Sequence, residues 1–173
     1  MLEIGMICAE AGEKIARVSA NMAMAADMEV RASSTATTGA YSSACQRGLP
    51  AILMERGGGG RFTDSEVHAY KRDVKNIMIR MGLLSGEEVH TVQQKNVTRA
   101  EYLEAETDGL WYPVFSAGDT FAGGAVLGTV RDIWGNLLRE YRADYPGIIL
   151  YQTVGLGVKT GDPLIAYGEY ADR

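Results

Sequence analysis

Apolar residues at helical spacing open the chain. Between about residues 9 and 28, Ile15, Val18, Met22 and Ala25 recur at intervals of three and four, while Glu10, Glu13, Lys14 and Arg17 fall on other faces. That period predicts a helix. A short extended run at 28–31 follows. Residues 32–39 are small and polar with no apolar period, and so read as a long loop. Residues 40–47 predict a short helix closed by Gly48, a natural C′ residue. The run 49–55 is continuously apolar up to Glu55 and lies between Gly48 and Gly57. It suits a strand buried on both faces, hence one in a parallel sheet. Alternating helix and strand is the α/β pattern. After four glycines, Thr63-Asp64-Ser65-Glu66 forms a capping box. It opens a strong helix with Val67, Tyr70, Val74, Ile77, Met78 and Met81 on one face, and Gly82 closes it.

The pattern changes after Leu84. Ser85-Gly86-Glu87-Glu88 has linker composition, and beyond it helical periods give way to short β-like runs at 110–115, 125–130, 137–141, 148–153 and 163–167. This predicts an α/β domain over 1–85 and an all-β domain over 86–173. The β half also echoes itself. Phe121-Ala122-Gly123-Gly124-Ala125-Val126-Leu127 and Val158-Lys159-Thr160-Gly161-Asp162-Pro163-Leu164 match at an offset of 37 residues. Each copy reads as strand, glycine turn and strand, and two copies about a pseudo-two-fold would make a small sandwich.

Composition narrows the class. With 17 Lys+Arg against 22 Asp+Glu, the net charge of −5 lacks the basic cluster that nucleic-acid binding requires. At 46% hydrophobic and 23% charged, the chain is a folded, not a disordered, one. No apolar stretch reaches a membrane span and no signal peptide is expected. Cys8 and Cys45 cannot make a disulfide framework, so a cytoplasmic location is the expectation. His68 and His90 are the two histidines and do not stand at ligand spacing.

Glu55 is the residue that could carry chemistry. A carboxylate ending a buried central strand lies where open α/β sheets place their ligand crevice. The glycines after it let backbone approach a ligand. It could serve as a general base toward water; the alternative is a glutamate that merely caps the glycine turn. Arg61 could hold a substrate carboxylate in a bidentate fork, or be an ordinary exposed arginine. Tyr41, at the start of the short helix, could face the same crevice or simply pack. The glycine run lacks the Gly-Lys-Ser/Thr of a phosphate loop. Cys45 has no basic partner and reads as buried. Trp111 and Trp134 read as core or interface residues.

The stretch Gly48-Leu49-Pro50-Ala51-Ile52-Leu53-Met54-Glu55-Arg56-Gly57-Gly58-Gly59-Gly60 resembles the succinylglutamate desuccinylase/aspartoacylase family. So do the helix after it and the β half from Ser116-Ala117-Gly118-Asp119 to Gly168. The resemblance implies an α/β fold, a partial carboxypeptidase-like layer with a parallel or mixed sheet, followed by an all-β barrel-sandwich (lipoyl-like) domain. It implies a zinc-dependent amide hydrolase acting on a small acylated amino acid or amine, with Glu55 as the catalytic acid/base. The family's zinc ligands are a His-x-x-Glu pair and a later histidine, upstream of the glutamate strand. This chain has no histidine before Glu55. The expectation is therefore a C-terminal half that binds no zinc in the family manner. Its partner would be a missing N-terminal half or a second copy. The turn of the β half lacks a Met-Lys-Met-type lysine, so no lipoyl or biotin attachment is expected. The alternative is a non-catalytic association or ligand-binding module that complements another chain.

Overall fold

The computed structural model describes residues 4–8, 12–34 and 37–170. They form two compact units, one up to Val97 and one from Thr98 onward. In chain order, the first unit contains β1 (Ile4–Cys8), α1 (Glu13–Ala25), β2 (Val30–Ser34), α2 (Ala40–Gln46), β3 (Ile52–Glu55) and α3 (Asp64–Arg80). It also takes the first three residues of β4 (Lys95–Glu104). The sheet order here is β3-β1-β2-β4. β1 and β2 run parallel, as do β2 and β4, while β3 runs antiparallel to β1 with Ile4 opposite Glu55.

Three expectations change. The strand expected to be central and parallel is the terminal, antiparallel strand β3, and Ile52, Leu53 and Met54 are only half-buried. A continuous apolar run records burial but not strand direction. The long polar loop is shorter, because Ala32, Ser33 and Ser34 belong to β2. Ala32 and Ser34 point inward and Ser33 outward, an alternation of small residues that carries almost no hydropathy contrast. Thr35 and Ala36, like the first residues of the expected opening helix, lie outside the described residues. Finally, α3 buries Ala69, Asp73 and Asn76, while Val74 and Met81 of the expected apolar face are 47% and 41% exposed.

The helix ends follow the sequence closely. Thr63 Oγ1 accepts from the Glu66 N–H (3.3 Å) and Glu66 Oε2 accepts from the Thr63 N–H (2.6 Å), the reciprocal capping box. At the end of α2 the Gly48 N–H bonds to Cys45 O and the Leu49 N–H to Ala44 O, each at 3.0 Å. At the end of α3, Gly82 and Leu83 repeat the motif onto Ile79 O (2.9 Å) and Met78 O (2.8 Å). Both glycines sit at positive φ (85° and 74°), which this closure requires.

The segment after α3 is not a free linker. The Asn76 side chain donates to Val89 O (2.8 Å) and accepts from the Val89 N–H (3.0 Å), and Arg80 pairs with Glu88. Asp27 accepts from the Thr91 and Val92 amides, and Gln94 Nε2 donates to Ala23 O (3.1 Å). Those bonds stitch residues 88–94 to the first unit. The division thus falls at Val97/Thr98, inside β4, and not at the composition change at 85/86.

The second unit holds the rest of β4, then β5 (Gly109–Pro113), β6 (Thr120–Phe121), β7 (Val126–Arg131), β8 (Leu137–Arg142), β9 (Gly147–Gln152), β10 (Gly157–Val158) and β11 (Pro163–Tyr170). They form two open sheets, β4-β11-β9-β6 and β10-β5-β7-β8. Exchanging β4, β5, β6 and β7 for β8, β9, β10 and β11 converts one strand order into the other. The register obeys the same exchange: Gly157 opposite Leu110 and Val158 opposite Gly109 match Thr120 opposite Ile148 and Phe121 opposite Gly147. Bulges in β7–β8 and β9–β11 are the departures. Trp111, Leu127 and Val130 from one sheet pack with Ile149, Leu164 and Tyr167 from the other in one core. Each such side chain contributes about 1.5–3 kcal/mol on burial. Among the described residues no helix is long and apolar enough to cross a membrane.

The exchange also pairs two glycines. A Cβ on Gly147 would stand 2.3 Å from Gly168 O, and one on Gly109 would stand 2.7 Å from Arg131 O. Both approaches are to backbone, which cannot step aside cheaply. Gly147→Ala and Gly109→Ala are therefore expected to destabilise the chain by about 1–3 kcal/mol each. Gly157→Ala, with nothing within 4 Å of the new methyl, stays within about 0.5 kcal/mol. Urea unfolding of the three variants checks the contrast.

Candidate functional site

β3 ends at Glu55, and the next residue anchors it. The Arg56 side chain is 1% exposed and the carboxylate it meets, Asp73 on α3, is 0% exposed. Arg56 Nε donates to Asp73 Oδ2 at 2.8 Å, and its terminal nitrogen donates to Asp27 O at 2.7 Å. Asp73 Oδ1 accepts from the Asp27 N–H at 2.8 Å. Asp27 in turn receives the Thr91 hydroxyl (2.7 Å), the Thr91 and Val92 amides (2.7 and 3.1 Å) and the Arg72 guanidinium (2.8 Å). Burial alone would push the Asp27 carboxyl up. The Thr91 hydroxyl and amide, the Val92 amide and Arg72 outweigh it and hold the group below its ordinary value. Asp27, Asp73 and Arg56 are thus buried and paired with one another, while Arg72 reaches Asp27 from a partly exposed position, its Nε without a hydrogen-bond partner among the described residues.

Beyond Arg56 the chain turns on glycines. Gly57 has φ 74°, and a Cβ there would lie 3.1 Å from Arg61 O and 3.2 Å from Glu66 Oε1. No side chain fits without moving the turn. The Arg61 N–H closes back on Gly58 O (3.2 Å), and the chain then reaches Thr63, the N-cap of α3.

Glu55 itself is exposed. It stands at the end of a terminal strand and not in a crevice between central strands, and no hydrogen bond or ion pair holds its carboxylate among the described residues. Arg61 is likewise exposed. Tyr41 is half-buried in the first turn of α2. No hydrogen bond or ion pair joins these three side chains among the described residues. His68 Nδ1 lies 2.6 Å from Asp64 O on the exposed side of α3, and His90 Nε2 lies 3.0 Å from Glu88. Cys45 is buried, with Sγ donating to Ala51 O (3.5 Å). Trp111 is core and Trp134 is 82% exposed. No group of three His, Cys, Asp or Glu side chains among the described residues could hold a metal ion. This donor set does not fit a zinc held by these residues alone.

Arg56, Tyr70, Asp73 and Asp27 are the residues that sequence reasoning passes over. Their one signal is the spacing Ala69, Asp73, Asn76, one helical face made of a small residue and two short polar ones. Polar residues on a helix default to solvent, so the face is invisible without its partners.

No protein-family profile matches the chain. Among solved structures, the succinylglutamate desuccinylase/aspartoacylase from Rhodobacter sphaeroides superposes with a TM-score of 0.83 at 20% identity, over 99% of this chain and 55% of that one. The chain has the fold of the succinylglutamate desuccinylase/aspartoacylase family. A product-bound ectoine utilization protein EutE (DoeB) from Ruegeria pomeroyi shares it, with a TM-score of 0.85 and 21% identity over 97% of this chain and 53% of that one. In sequence, the chain is 27% identical over 127 residues to the N-alpha-acetyl-L-2,4-diaminobutyric acid deacetylase of Halomonas elongata. That match covers 70% of this chain and 37% of the deacetylase. The chain thus spans about half the length of these solved structures.

Removing one partner of the buried pair strands the other. Asp73→Ala is expected to cost about 3–5 kcal/mol, and the double change Arg56→Met with Asp73→Leu to recover most of that loss. Denaturant midpoints measure both. Asp27 supplies a pH signature. A carboxyl held below its ordinary value stabilises the fold above about pH 4, and that contribution fades as pH falls through the lower folded value. Asp27→Asn should therefore be less stable near neutrality and lose less on acidification. Thermal midpoints between about pH 3 and pH 7 test the flattening.

Proposed function

We propose that this chain is part of a hydrolase that cleaves the amide of a small N-acylated amino acid or amine, with Glu55 as general acid/base. The observation that carries the reading is an exposed carboxylate, unpaired among the described residues, at the tip of β3, next to the buried Arg56–Asp73 pair, in a chain that shares its fold with a protein named desuccinylase and part of its sequence with one named deacetylase. Glu55 takes the proton of the attacking water as the C–O bond forms. It returns that proton to the departing nitrogen as the C–N bond breaks, leaving a carboxylate and an amine. Arg61 recognises the substrate carboxylate through its planar fork, and Tyr41 lines the substrate from α2. The complete enzyme uses zinc whose ligands come from polypeptide other than the described residues, and its compartment is the cytoplasm. Residues from 98 on form a barrel-sandwich, a reading supported by the exchange of the two strand sets.

The test uses the protein isolated from its own cells with whatever polypeptide accompanies it. Acetylated diaminobutyrate, acetylated aspartate and succinylated glutamate serve as substrates. Glu55→Gln is expected to lower turnover by at least about 10²-fold with unchanged zinc content. Turnover close to normal in that variant, or no hydrolysis by the unaltered protein, overturns the reading in favour of an association module.

A further inference from the structure

β3 is a terminal strand, so its peptide groups face two ways. On one side β1 takes them, with Ile4 opposite Glu55. On the other side, the groups flanking Glu55 are the Met54 carbonyl and the Arg56 N–H, and no strand among the described residues covers them. A single hydroxyl does. Tyr70 Oη donates to Met54 O at 3.1 Å and accepts from the Arg56 N–H at 2.9 Å. It therefore bridges the two peptide groups on either side of Glu55 and ties both to α3.

We propose that Tyr70 is a positioning residue for Glu55, its hydroxyl fixing the strand tip so that the carboxylate is presented from an immobile backbone. The proposal rests on the reading of Glu55 as general base. Three features carry it. The phenol spends its one proton on Met54 and a lone pair on Arg56, so both edge groups are satisfied without extending the sheet. The ring is itself held, because the Arg56 guanidinium lies 5.9 Å from its centroid and is locked to Asp73 and Asp27. The Glu55 side chain makes no bond among the described residues, so its carboxylate is held only through the strand backbone, by β1 on one side and by the Tyr70 hydroxyl on the other. A base free at its side chain keeps its aim only through its backbone, and displacement of about 1 Å at such a group can cost on the order of 10²-fold in rate.

Tyr70→Phe tests this, because it keeps the ring and removes only the hydroxyl. In the native preparation, kcat should fall by about 10- to 100-fold with KM within about two-fold, the signature of a group acting on the transition state and not on binding. Hydrogen exchange at the Arg56 amide should accelerate by at least about tenfold while the thermal midpoint of the chain holds. Unchanged kcat, or a rise in KM at constant kcat, overturns the proposal. Glu55→Gln run in parallel separates the two ideas. A dead Glu55→Gln with a fully active Tyr70→Phe removes the role of Tyr70 alone, whereas an active Glu55→Gln removes both. Should the variant fail to fold, the unaltered protein still decides. An Arg56 amide that exchanges as fast as that of Gly60 in the exposed turn overturns the proposal.

Discussion

The buried pair between Arg56 and Asp73 is the constraint on which the first unit depends. α3 carries two faces that could turn inward. One is apolar, with Val67, Tyr70, Val74, Ile77 and Met78; the other is Ala69, Asp73 and Asn76. Packing the apolar face would leave a guanidinium at the strand end with no partner, a cost larger than the burial of one or two aliphatic side chains returns. The helix therefore seats its polar face. Once it does, Asn76 meets Val89, Asp27 meets Thr91 and Arg72, and the segment after the helix is drawn onto the unit.

Much of the fold is written in local chemistry. The capping box at Thr63, the glycines that end α2 and α3, and the five runs that became β5, β7, β8, β9 and β11 all depend on neighbours in sequence, and all were legible. What was not legible depends on distant partners. β1 is five residues including a glycine, too short for any period to declare it. β4 carries Lys95, Arg99, Glu101 and Glu104 and looks like a surface segment until its neighbours are known. The direction of β3 and the rotation of α3 are settled by contacts across tens of residues. The candidate site divides the same way. Glu55 and its glycines could be picked out because they are contiguous, but the arginine next door and the tyrosine that bridges it gain meaning only from α3.

The exposure of Glu55 places a condition on any chemistry there. A carboxylate open to bulk water competes with solvent for every proton, and electrostatic interactions at such a group are weak. Catalysis by a base at this position requires a cover that excludes water when substrate is bound. A fixed backbone beneath an uncovered side chain suits that arrangement, since only the upper side has to be supplied.

The exchange of strands in the second unit carries a consequence for how it forms. The pair β5–β7 is flanked on both sides by β10 and β8, and the pair β9–β11 by β6 and β4. Each half of the repeat thus makes a two-stranded ribbon that borrows both of its neighbours from the other half. A lone ribbon of this kind is marginal in water, so neither half can mature first. During synthesis the earlier strands must wait, largely unprotected, until the last of them leaves the ribosome, and the whole unit then closes in a single late step.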